Sequence, residues 1–199
     1  MITRYLLPGL VACVCFLTAC QTGRSASGSK SGIADAITNR SIERPRLHDA
    51  SELKDAYDAA AGDSDEALLL FMNALLLVEE DQEAGYAAVA YMSRPNDQWQ
   101  DATSPTGVKP SKMAEEGLQR ITGKPHVVRS YTGGAGSGYS MSNPETVELS
   151  IKETRDEASD RVKYFIWSAG KDNASPITLR AANGRWYVDE WSSIQTGVR

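Results

Sequence analysis

Ala67-Leu-Leu-Leu-Phe-Met-Asn73-Ala-Leu-Leu-Leu-Val78 is a run of twelve residues with one polar member, and it decides the architecture. A bilayer span asks for about 20 apolar residues, so this run is too short to cross one. A surface helix shows a polar face, so the run is also too uniform to lie half in water. It therefore predicts a helix buried on all sides at the centre of one domain. Ser64 opens that helix, and Asp65 and Glu66 stand where the positive end of its dipole favours acids. Asn73 is then either a core amide bonded to a neighbouring backbone, the favoured reading, or a polar group in a ligand cavity.

On the N-terminal side, Asp49 can cap a helix that starts after His48, with Glu52 three residues on, as in a capping box. Leu53, Ala56, Tyr57 and Ala60 share one face of it, and Gly62 ends it. On the C-terminal side, Glu79, Glu80 and Asp81 read as a solvated acidic turn rather than a cation site. A third helix follows with Tyr86, Val89 and Ala90 on one face. Arg94 to Pro110 carries three prolines and no periodicity, so it reads as a working loop or an insertion, held down by Trp99. Ser111 caps a short helix bearing Met113, Leu118 and Ile121, which Gly123 and Pro125 close.

After Pro125 the periodicity moves from 3.6 toward 2. His126 to Tyr131 reads as a strand, and Thr132 to Tyr139 as a glycine-rich loop. Val147, Leu149 and Ile151 alternate with Glu148, Ser150 and Lys152, as in a half-buried antiparallel strand. Val162 to Trp167 is apolar enough for both faces to be covered. Ile177, Leu179 and Ala181 lead to Asn183-Gly184, a strong hairpin signal, and Arg185 to Trp191 returns. The fold class expected is α+β, a helical N-terminal half packed on a C-terminal antiparallel β-meander of four or five strands.

The first residues have a separate grammar. Arg4 gives a positive end, Leu6 to Phe16 an apolar core, and Leu17-Thr18-Ala19-Cys20 a small-residue cleavage site. This stretch resembles the lipobox of bacterial lipoproteins. The resemblance implies a signal peptide over residues 1–19, lipidation of Cys20 and attachment of the protein to a membrane through that anchor. Gln21 after the cysteine implies the outer membrane, with the protein in the cell envelope facing the periplasm. Residues 20–45, rich in Ser, Gly and Thr, then read as a flexible tether, and 46–199 as a single domain.

Composition narrows the chemistry further. The chain of 199 residues has 21 basic and 26 acidic side chains. Losing Arg4 with the signal leaves about −6, which argues against nucleic acid as a partner. Cys13 and Cys15 would leave with the signal and Cys20 would carry lipid, so the domain would hold no thiol. With His48 and His126 the only histidines, neither a metal nor a cofactor is expected.

No catalytic residue is assigned. Gly134, Gly136 and Tyr139 fail the dinucleotide motif at its last glycine, and Ser137 lacks the flanks of a nucleophile elbow. Asp189 and Glu190 point to opposite faces of one strand. Eight of the fifteen aromatic residues lie beyond Pro125, enough to build core and to line a small apolar pocket. Pro125, Arg129-Ser130-Tyr131, Tyr139, Ser175 to Arg180 and Trp186-Tyr187 resemble the bacterial family catalogued as domain of unknown function 6935, across roughly Asp63 to Arg199. That family implies no activity, and the loop after Tyr131 is richer in glycine here. The expectation is an envelope lipoprotein whose domain binds a protein or small ligand through Arg129, Tyr131, Trp167 and Arg180. The alternatives are a cell-envelope hydrolase and a structural accessory subunit of an envelope complex.

Overall fold

A computed structural model describes residues 39–198 except Ala61 and Ser137. The signal peptide, Cys20 and the first part of the tether lie outside the described residues.

Three helices open the domain. Helix α1 (Ala50–Ala59) is capped by Asp49, whose carboxylate accepts from the Ser51 and Glu52 amides. Helix α2 (Ser64–Glu80) opens at Ser64 as expected and is capped by Asp63, whose carboxylate accepts from the Asp65 and Glu66 amides. Every side chain from Ala67 to Val78 is buried, as the uniform run required. Helix α3 (Gln82–Met92) packs on α2 and buries Tyr86, Val89 and Met92 in the core. Among the described residues no helix is long and apolar enough to cross a membrane.

The segment from Arg94 to Pro110 is more regular than a loop. A 3-10 turn over Pro95–Asp97 leads into β2 (Gln98–Gln100), which pairs with β3 (Val108–Pro110). Trp99 does not hold it down, being 53% exposed. Buried Val108 and the Thr106 hydroxyl, which donates to the Ala87 carbonyl at 3.1 Å, do so instead. Helix α4 (Lys112–Gln119) follows, capped by Ser111.

His126 to Tyr131 is not a strand. Pro125 fixes φ at the first position of a short helix, α5 (Pro125–Arg129), and the chain continues in tight turns to Thr132. Val127 and Val128 are both buried, which alternation across a strand would not allow for neighbours on a one-sided sheet. The glycine-rich stretch folds as a small hairpin of β4 (Gly134–Ala135) and β5 (Ser140–Met141).

The main sheet is antiparallel and has five strands: β1 (Arg40–Pro45), β6 (Thr146–Ala158), β7 (Arg161–Ile166), β8 (Ser175–Ala182) and β9 (Arg185–Glu190), adjacent in that order. Its inner face presents Val147, Leu149, Ile151, Val162, Tyr164, Ile166, Ile177, Leu179 and Val188 to the helices. Only one face of β7 is covered; Lys163, Phe165 and Trp167 on the other are half-buried. The β8–β9 turn uses Asn183 and Gly184 with φ of 53° and 75°, the left-handed pair that matches the twist of a hairpin.

β1 corrects the extent of the tether, because Arg40 to Pro45 is the edge strand beside β6. Charge explains its docking. Arg40 reaches Asp65 at 2.7 Å, Arg44 reaches Glu66 at 2.6 Å and Arg46 reaches Glu80 at 2.9 Å, so the strand and its exit are fastened along α2. Tyr164 on β7 also donates to Asp65 at 2.7 Å. At the far edge, the Tyr57 hydroxyl donates to the Trp186 carbonyl and ties α1 to β9.

Candidate functional site

The end of α5 brings Ser130 and Tyr131 against the end of β7, where Trp167, Ser168 and Ala169 leave the sheet. Between them, β6 contributes Glu148 and Ser150, and the glycine hairpin contributes Gly133 and Gly134. Together these line an open cleft of about 400 Å³. A smaller recess of about 190 Å³ adjoins it, shares Gly133 and Glu148, and adds Glu43, Asn143 and Thr146.

The walls are held by hydrogen bonds that leave little freedom. The Gly170 amide donates to Ser168 Oγ at 3.1 Å, and the Ser130 hydroxyl donates to the Val127 carbonyl at 2.7 Å. With the Ser130 proton so used, Ser168 is the donor in the 2.8 Å contact between the two hydroxyls. The Ala169 amide donates to the Ser130 carbonyl at 2.9 Å, which closes α5 onto the strand end. Gly134 is required there, since a Cβ would run into the carbonyls of Arg129 and Tyr139. On the opposite wall the Trp167 amide donates to the Ser150 carbonyl at 2.8 Å, and the Lys152 ammonium lies 5.1 Å from the Trp167 ring centroid. Glu148 accepts from the Ser41 hydroxyl at 3.1 Å and faces Glu43 across the β1–β6 pair.

Tyr131 and Trp167, two of the four residues singled out from sequence, therefore line one cleft. The other two go elsewhere. Arg129 turns to Glu79 at the end of α2, 3.1 Å away, and Arg180 sits on the outer sheet face near Asp160 at 3.5 Å and Asp189 at 3.9 Å. Sequence reasoning passed over Ser130, Glu148, Ser150 and Ser168. Glu148 and Ser150 were legible as the outward positions of β6, whereas nothing local marks Ser168.

Asn73 is not a cavity group: its Oδ1 accepts from the Leu47 amide and its Nδ2 donates to the Leu47 carbonyl, each at 2.8 Å. A second polar cluster lies behind Tyr131. The Tyr131 hydroxyl is 2.8 Å from Ser175 Oγ, and Lys171 Nζ donates to the same oxygen at 3.3 Å. An amine and a phenol beside a serine suit a nucleophile. Ser175 is only 4% exposed, however, and Lys171 spends its other bonds on the Ser193 carbonyl and Thr196 Oγ1, at 2.8 and 2.5 Å. The cluster fastens the C-terminal segment to the sheet.

Displaced titrations mark structural contacts. The Arg40 guanidinium holds the Asp65 carboxyl below its ordinary range, and burial pushes the Tyr57 and Tyr164 phenols up. Among the described residues no group of three or more His, Cys, Asp or Glu side chains could hold a metal ion.

The family described as Domain of unknown function (DUF6935) matches residues 48–199. No curated protein and no solved structure matches the chain.

Proposed function

We propose a function for a chain that belongs to the DUF6935 family, a membership that brings no activity with it: the protein is an envelope lipoprotein whose domain binds a small polar ligand in the Tyr131–Trp167 cleft. The lipobox at Leu17 to Cys20 supports the anchor, which holds firmly once two or more acyl chains are buried. Gln21 favours the outer membrane, facing the periplasm. The observation that carries the binding reading is the cleft itself: the half-buried Trp167 ring, the exposed Ser150 and the exposed Glu148 carboxylate, set by two neighbouring strands against a helix end and a hairpin where Ser130, Tyr131 and Ser168 are buried. Rigid elements of that kind hold contact groups in place without ligand.

A hydrolase needs an exposed activated nucleophile, and the serine beside Lys171 is buried. An accessory subunit needs a partner surface and no cleft. Capture of the intact lipoprotein from detergent extracts of its host's envelope separates these readings. A small molecule retained by the wild type and lost from Trp167→Ala supports ligand binding. A stoichiometric protein retained equally by both variants, with no such small molecule, overturns it in favour of the accessory role.

A further inference from the structure

The ligand class follows from what the cleft and its neighbouring recess present, and the inference rests on the binding reading above. Exposed Ser150 faces the larger compartment, where Ser130 and Ser168 are buried and bonded within the protein, and Thr146 and Asn143 line the smaller, with Glu148 shared between them. Among the described residues lining either compartment there is no lysine or arginine. An anionic ligand such as a phosphate is recognised by charge-assisted donors, and here it would instead meet Glu43 and Glu148, which face one another across β1 and β6. A cationic ligand would find those carboxylates but would also meet the Lys152 ammonium, which lies 5.1 Å from the Trp167 ring centroid, and like charges repel. What remains is a neutral molecule rich in hydroxyls with an apolar ring face.

We propose that the groove binds a neutral oligosaccharide, one sugar ring packed against Trp167 and the next continuing past Glu148 into the smaller recess. Serine and threonine hydroxyls can both donate to and accept from sugar hydroxyls, and the Glu148 carboxylate accepts from them. The half-buried indole, beside Lys152, supplies the apolar surface against which C–H groups of a pyranose pack. A ligand that fills both compartments needs at least two linked rings, so affinity is expected to rise with chain length from one ring to two or three and then level off.

The test is calorimetric titration of the intact, detergent-solubilised protein with β-1,4-linked N-acetylglucosamine oligomers of increasing length and with glucose oligomers of the same linkage, with spermidine and inorganic phosphate as charged probes. The expected result is length-dependent binding of at least one oligosaccharide series, weakened about tenfold or more by Trp167→Ala, partly kept by Trp167→Phe, and unchanged by Arg180→Ala. Equal urea midpoints for these variants establish that the loss is local. Binding of spermidine or phosphate, with no oligosaccharide bound, overturns the sugar assignment. So does saturation by a single ring with no gain from a second. If envelope capture yields a Trp167-dependent molecule that is not a carbohydrate, this inference fails while the binding reading stands. If no probe binds and capture retains no small molecule, both fall.

Discussion

Asn73 clamps Leu47 by both halves of its amide, accepting from the Leu47 N–H and donating to the Leu47 C=O at 2.8 Å each. The polar residue in the apolar helix thus serves the chain that enters from β1. Its side chain does in the core what a neighbouring strand would do for that backbone.

Replacing Asn73 with Leu keeps the volume and removes both bonds. An unsatisfied buried group costs about 1–3 kcal/mol, and Leu47 is only partly buried. Asn73→Leu is therefore expected to lose about 2–3 kcal/mol, read as a lower urea midpoint. An unchanged midpoint would show that water takes over the clamp.

His48 bridges Glu80 at 2.9 Å and Glu145 at 3.3 Å. The hydrogen bond to Glu80 is the main cause that raises its pKa above 6.5. A raised histidine stabilises the fold fully below its unfolded pKa and loses that contribution as pH rises through the folded one. The urea midpoint is thus expected to fall between about pH 6 and about pH 8, and His48→Gln should flatten that part of the curve. A wild-type profile identical to that of the variant would remove His48 from the account.

The acid side has the opposite sign. Asp65 is held low chiefly by its hydrogen bond from Arg40 and also accepts from Tyr164. Its contribution is present above the ordinary carboxylate pKa and lost as pH falls through the depressed one. Asp65→Asn at neutral pH should reproduce part of the acid effect and release β1 first. Amide exchange of Ser41 to Arg44 is expected to quicken more than that of β7 and β8. Equal acceleration in all strands would mean that β1 does not depend on this pair.

Lys171 holds the C-terminal segment through the Ser193 carbonyl and Thr196 Oγ1. Lys171→Met keeps the stem over the Tyr131 ring, 5.5 Å from the ammonium in the native chain, and removes the three donors. Limited proteolysis should then clip the chain beyond Trp191 sooner, with the remaining domain intact. Should the clipping rate not change, other contacts hold this segment.

Much of this is legible in the amino-acid sequence alone. The run from Ala67 to Val78 places α2 at the centre, and the alternation at Val147, Leu149 and Ile151 gives β6 and its inner face. β1 was not legible because its worth is non-local: Ile42 is its only aliphatic side chain, while its arginines pair with acids on α2 and its backbone with residues more than a hundred positions away. α5 was missed because Val127 and Val128 suggest extended chain, whereas Pro125 and burial on two sides favour a helical turn. The cleft was half legible. Aromatic residues can be picked from sequence, whereas the ion pairs that take up Arg129, with Glu79, and Arg180, with the acids of the outer sheet face, are set by tertiary structure.

The domain is proposed to work outside the cytoplasm, joined to lipid at Cys20. The direct measurement is the mass of the protein purified from its host's membrane fraction, with fragmentation of the N-terminal peptide. A chain that begins at Cys20 and carries fatty acyl groups is the predicted result. A chain that begins at Met1, or at any other residue with an unmodified Cys20, would contradict it.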